Sequence, residues 1–233
     1  MIEKIMIIAW ANPFSFFAEI RWEDIFKASN ETMYMLVFSL LFTILLGLLL
    51  GIVLFLFSEG QLLQNRVLYS ILSVIVNVLR SVPFVILMIL IMPVTKMLVG
   101  TSIGVKGAIP PLVVAAAPFF ARLVESSLRE VDRGVIEAAT AMGASRGMIV
   151  LHVLLREART GLIAAITITA VTLVSYTAMS GVIGGGGLGD LALRFGYQRF
   201  RLDVMVVTVA LLLILVQLLQ MVGDMLVRTF SRR

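Results

Sequence analysis

Long apolar runs separated by short polar segments organise this chain. Residues 33–57 carry no charge. Rising 1.5 Å per residue, that run reaches roughly 37 Å, enough to cross a hydrocarbon core of about 30 Å with some tilt. Residues 67–94 form a second run, interrupted by Arg80 and Pro83. A third, 108–124, contains Pro110, Pro111 and Pro118 and is cut short by Arg122. Residues 162–183 and 204–227 are the fourth and fifth. None alternates with period two as a barrel strand must. A backbone in lipid has to satisfy its own hydrogen bonds, which leaves helices. The pattern therefore predicts an all-α integral membrane fold with five transmembrane helices.

The segments between the runs differ in kind. Residues 122–160 form a polar insertion of about 40 residues, too long for a simple turn. Within it, 131–141 can make about three helical turns. Gly143 allows the left-handed backbone that ends a helix, and Ser145 stands where an N-cap is needed for the next one. The pattern predicts helix, glycine turn, helix. Residues 184–187 are all glycine, followed by Leu188-Gly189-Asp190. This formally fits a dinucleotide fingerprint, but that motif needs a strand before it and here a membrane helix precedes it. A close-packed external loop is the better reading. Residues 1–32 mix Trp10, Phe14, Phe16, Phe17, Trp22 and Phe26 with acids and bases, as suits an interfacial segment.

Composition sharpens this picture. Hydrophobic residues make up 60% of the chain and charged residues 14%, with a mean hydropathy of +1.06. Soluble domains average roughly 45–50% apolar residues. The net charge of +5 comes from Lys and Arg placed between runs or near the termini, which suits lipid headgroups rather than nucleic acid. With five spans and the 122–160 loop inside, ten Lys and Arg lie on the inner side and eight on the outer, Arg80 left aside. Charge alone barely chooses an orientation. There is no cysteine, and no P-loop, HExxH or acidic pair marks a metal or hydrolytic site. His152 belongs on a solvated helix face.

Polar residues within the runs are the remaining chemistry. Ser70, Ser73, Asn77 and Arg80 share one face of the second helix. Thr169, Thr172, Tyr176 and Ser180 share one of the fourth, and Gln217, Gln220 and Asp224 one of the fifth. Such stripes face a wet pathway or bond to neighbouring helices. Ser39, Thr43, Gly47 and Gly51 recur every fourth residue, a close-packing face that serves either internal packing or a dimer contact.

Glu137-Ala138-Ala139, then Gly143 after three further residues, resembles the cytoplasmic signature of ATP-binding-cassette importer permeases. Arg80-Ser81-Val82-Pro83-Phe84, residues 99–104, Ala117-Pro118-Phe119 with Arg122 and Glu125, residues 175–179 and Gly186-Gly187-Leu188-Gly189 resemble the methionine-uptake branch. Val153 and Arg156 depart from the Ile and Pro usual in the loop, and Arg156 removes an expected helix break. The resemblance implies a permease domain over 33–230 with coupling loop 122–160, an interfacial extension over 1–32 and a tail over 231–233. Glu137, Ala138, Ala139 and Gly143 would form a cytoplasmic coupling helix docking on an ATPase. Ser70, Ser73, Asn77, Thr169, Thr172, Tyr176 and Ser180 are the candidate translocation face. The family further implies a multi-pass protein of the bacterial cytoplasmic (inner) membrane, working as a homodimer with two ATPase subunits inside and a substrate-binding lipoprotein outside. This chain would bind no cofactor or metal, with ATP and Mg on the ATPase. A sister importer for osmoprotectants or another small solute is the nearest rival; an autonomous channel or a membrane-embedded enzyme is the rival from another class.

Overall fold

The computed structural model describes residues 20–231. The interfacial residues before 20 and the last two of the tail lie outside the described residues. The helices are α1 (Trp22–Phe57), α2 (Arg66–Ser81), α3 (Phe84–Leu90), α4 (Met92–Val99), α5 (Gly104–Arg129) and α6 (Arg133–Ala141). They continue with α7 (residues 146–157), α8 (Arg159–Ser180), α9 (Gly187–Leu191) and α10 (Leu202–Ser231). The middle of α7, Ile149–Leu154, is wound as a π-helix. No strand occurs among the described residues. Four helices, α1, α5, α8 and α10, are long and apolar enough to cross a membrane, and the pair α2 and α3 makes a fifth crossing if counted as one broken span.

That broken span is a point where the continuous sequence run gives way. The chain turns by 105° between α2 and α3. Pro83 has no N–H to give a helix, and it holds Val82 in extended backbone (φ −79°, ψ 127°). The three prolines of α5 behave differently, because Pro110, Pro111 and Pro118 all lie inside one 26-residue helix. Neighbouring helices enclose α5, which is the most buried of the spans. In such surroundings a proline's lost hydrogen bond is tolerated. Nor does Arg122 end this span. The helix runs on to Arg129, so the polar insertion begins as the last two turns of α5.

Around α5 the bundle has two ends. At one, Phe55 of α1, Phe120, Val124 and Leu128 of α5, Ile136 and Ala139 of α6, and Ile149 and Leu154 of α7 form one apolar cluster. At the other, Ile25 and Ala28 of α1 meet Leu188 and Leu191 of α9 and Val204 of α10. The start of α1 and the end of α10 therefore lie at opposite ends, as five crossings require. The Gly104 N–H donates to the Gly184 carbonyl at 2.9 Å, tying together the loops of the far end. There Glu31 accepts from the Gly187 N–H at 2.9 Å and Thr32 from the Leu188 N–H at 2.8 Å. The glycine-rich segment is thus a close-packed loop anchored on α1. The helix carrying Glu31 and Thr32 passes residues 32 and 33 without a break.

The small-residue stripe of α1 packs within the subunit. Ser39, Thr43, Gly47 and Gly51 are all buried. A Cβ on Gly47 would lie 2.8 Å from the Ala117 carbonyl oxygen, and one on Gly51 2.6 Å from that of Ala121. The hydroxyls of Ser39 and Thr43 have no partner among the described residues, so smallness is what these positions supply.

Candidate functional site

The elbow of residues 133–157 stands at the Phe55 end of the bundle. Asp132 caps α6 by accepting from the Gly134 N–H at 2.6 Å. Two residues of α6, Ile136 and Ala139, point inward and are buried, while Glu137, Ala138 and Thr140 are exposed. One face of the helix is therefore fixed to the bundle and the other is open. Gly143 ends the helix with φ +80°, in the left-handed region, and no atom lies within 4 Å of where its Cβ would stand. Ser145 then caps α7, its hydroxyl accepting from the Met148 N–H at 3.3 Å. Arg156 stands in the usual proline position, and a single residue, Ala158 (φ −75°, ψ 0°), separates α7 from α8, its N–H still donating to the Leu154 carbonyl at 2.9 Å. His152 is exposed.

The polar stripe of α8 divides. Thr169 and Ser180 are completely buried, and their hydroxyls donate to the carbonyls of Ala165 at 2.8 Å and Thr177 at 2.7 Å. Both are turned into the subunit. Thr172 and Tyr176 lie at the edge of that buried face and are half-buried. Tyr176 stacks on Phe84 with ring centroids 4.5 Å apart and planes 4° from parallel. A cavity of about 350 Å³ opens beside this pair, lined by Asn77, Arg80, Ser81, Phe84, Phe119 and Tyr176 among others. It sits at the α2–α3 corner. Ile168, on the other side of α8, is exposed. The third stripe, Gln217, Gln220 and Asp224, is likewise exposed on α10.

On α2, Ser70 and Asn77 are exposed and Ser73 is half-buried. Ser73 and Asn77 meet a charged network that residue spacing along α2 gave no sign of. The Arg122 guanidinium donates to the Ser73 hydroxyl, to the Ser73 carbonyl at 3.2 Å and to the Asn77 side-chain oxygen at 3.1 Å. It also pairs with Glu125 at 2.7 Å. Glu125 is buried, takes Arg129 at 2.7 Å on its other oxygen, and accepts from the Tyr69 hydroxyl at 3.1 Å. Arg122, Glu125 and Arg129 follow at spacings of three and four, which puts them on one helix face. That spacing was the available signal. Their partners on α2 emerge only once the two helices pack.

Comparison with known proteins follows this architecture closely. The sequence pattern of the family described as binding-protein-dependent transport system inner membrane component matches residues 44–233. The chain belongs to that family. The permease is therefore an inner-membrane component of a transport system rather than an enzyme. It is 49% identical over 218 residues to the methionine import system permease protein MetP of Bacillus subtilis, covering 94% of this chain and 98% of that one. It is 47% identical over 206 residues to the probable D-methionine transport system permease protein MetI of Vibrio cholerae, covering 88% and 92%. Among solved structures, the inward-facing MetNI methionine ABC transporter matches with a TM-score of 0.90 at 45% identity, over 92% of this chain and all of that one. An amino acid ABC transporter matches with a TM-score of 0.71 at 16% identity, which speaks for the fold alone.

Proposed function

We propose that the permease forms the membrane pathway of an ATP-driven importer for methionine, with α6 and Gly143 as the coupling elbow. The observation that carries the coupling role is the elbow's geometry. A nine-residue helix is fixed by one buried face, open on the other, and ended by a left-handed glycine. A protruding, rigidly held helix can transmit a push from a partner to the spans behind it. Glu137, Ala138 and Ala139 belong to this helix, two exposed and one anchored. The substrate reading is supported by the near full-length identity to methionine permeases.

The partners follow from that reading: a second copy of the permease, a pair of cytoplasmic ATPase subunits that bind ATP and Mg, and an external substrate-binding lipoprotein. The candidate pathway face narrows to Thr172, Tyr176, Ser73 and Asn77, with Ser70 at its margin. Thr169 and Ser180 contribute to the packing behind it.

The test is uptake by proteoliposomes containing the permease, its ATPase and its binding protein. Methionine should accumulate only with ATP inside the ATPase compartment, and a betaine-type osmoprotectant should not. Accumulation of the osmoprotectant alone would move the permease to a sister importer. Methionine flux without ATP would make it a channel.

A further inference from the structure

Arg80 is the unusual residue of the α2–α3 corner. It lies 14 residues beyond Arg66, the first residue of α2, which is roughly 21 Å along the helix axis. Phe119, whose ring faces the guanidinium at 5.9 Å, lies ten residues before the end of α5, or about 15 Å. Both distances set Arg80 back from the polar elbow end, in a helix pair long and apolar enough to make one broken span. An arginine within a span faces a wet cavity or a partner. Arg122, which bonds Asn77 one turn before Arg80, has its anion in Glu125. Arg80 is in no ion pair among the described residues. It stands instead in the wall of the 350 Å³ cavity, near the lower size limit of small-molecule sites.

We propose that this cavity is a way-station for the transported amino acid, in which Arg80 binds the α-carboxylate and the rings of Phe84, Tyr176 and Phe119 receive an apolar, thioether-type side chain. The proposal rests on the importer reading above and names a substrate contact within it. A guanidinium presents a planar fork that matches a carboxylate. Thioether sulfur makes favourable contacts with aromatic rings. The ammonium has two acceptors on the wall. Asn77 Oδ1 takes one bond from Arg122 and retains a second lone pair. Ser81 donates its proton to the Asn77 carbonyl at 2.8 Å, leaving its oxygen free to accept. The cavity's lining contains no carboxylate, so one charge holds the zwitterion and the other is only hydrogen-bonded. A pathway site has to bind weakly enough to release.

Equilibrium binding of radiolabelled methionine to the purified permease–ATPase complex in lipid nanodiscs, without the external binding protein, tests this. The probes are methionine and methioninol, which replaces the carboxylate with a neutral alcohol. Arg80→Gln should weaken methionine binding at least about ten-fold and Arg80→Lys less. Methioninol should bind wild type and Arg80→Gln within about two-fold of each other. Co-purification of the ATPase reports whether each variant assembles. If Arg80→Gln does not assemble, Arg80→Lys and the methioninol comparison on wild type decide. Unchanged methionine binding in an assembled Arg80 variant overturns the proposal. So does equal loss of both probes, which would make Arg80 structural, equal affinity of wild type for both, or no binding to wild type. Uptake with the complete transporter separates the two readings. Failure of wild type to accumulate methionine defeats the importer reading, whereas normal uptake with binding indifferent to Arg80 defeats only the way-station.

Discussion

Two glycines that look alike in sequence act for different physical reasons. Gly51 is defined by what lies beside it, since a Cβ there would come 2.6 Å from both the Ala121 carbonyl oxygen and the Val124 side chain. Gly51→Ala should therefore separate α1 from α5 and lower stability by about 1–3 kcal/mol, read as a fall in the melting temperature of the detergent-solubilised permease. Gly143 is defined by its own backbone, with φ +80° and open space around it. Gly143→Val meets no neighbour but forces a β-branched residue into the left-handed region, at about 1–2 kcal/mol. The variant should insert normally and yet assemble poorly with the ATPase, or hydrolyse ATP without uptake. Normal coupled uptake by Gly143→Val would remove the elbow from the coupling role. At Tyr176 the half-buried ring on Phe84 predicts that Tyr176→Leu lowers uptake while the ATPase still co-purifies. A variant that assembles and transports at the wild-type rate would take Tyr176 off the pathway.

Among the elements, α2 depends most on its surroundings. It is held to α5 by Arg122, whose side chain bonds Ser73 and Asn77 while pairing with the buried Glu125. Removing one member of a buried charged group leaves its partner uncompensated, typically at about 3–5 kcal/mol. The second arginine on Glu125 softens this, because Arg129 remains and is itself partly exposed. Arg122→Ala should thus destabilise the permease by about 2–4 kcal/mol and free α2. Arg122→Lys should recover part of the loss, since it keeps the charge but not the fork that reaches Ser73, Asn77 and Glu125 together. Thermal unfolding of the two variants in detergent measures both effects, and equal losses in the two would mean that charge plays no part in holding α2.

At the scale of the whole molecule, the bundle has an elbow end and a glycine-loop end, with α1 starting at the glycine-loop end and α10 finishing at the elbow end. The Arg159 guanidinium over the Phe230 ring, 5.6 Å away, fixes the end of α10 to the elbow side. Because the chain has no cysteine, single cysteines report sidedness without background. An impermeant maleimide applied to intact cells should label Arg21→Cys and leave Arg133→Cys and Ser231→Cys unlabelled until the membrane is opened. Labelling of Arg133→Cys from outside would invert the molecule and put the elbow beyond reach of any cytoplasmic ATPase.

The sequence by itself determined which segments are long and apolar enough to cross, and how the elbow is built. Both are properties of short stretches: the length of an uncharged run sets whether it spans, and Gly143 and Ser145 set where one helix stops and the next begins. What tertiary structure decided is every question that turns on a neighbour. Periodicity put Thr169, Thr172, Tyr176 and Ser180 on one face, but that face is wide enough for Thr169 and Ser180 to be buried against adjacent helices while Thr172 stays half-buried at its edge and Tyr176 borders a cavity. The α1 stripe fitted internal packing and dimer contact equally until α5 was seen against Gly47 and Gly51. Arg122 looked like the end of a span, because a charge in an apolar run is costly in isolation. Glu125, Ser73 and Asn77 remove most of that cost, and two of the three come from a different helix. The chain at Pro83 followed the same rule: a proline marks where a helix can break, yet Pro110, Pro111 and Pro118 sit inside an unbroken one, and only the tertiary structure shows the 105° turn at Pro83.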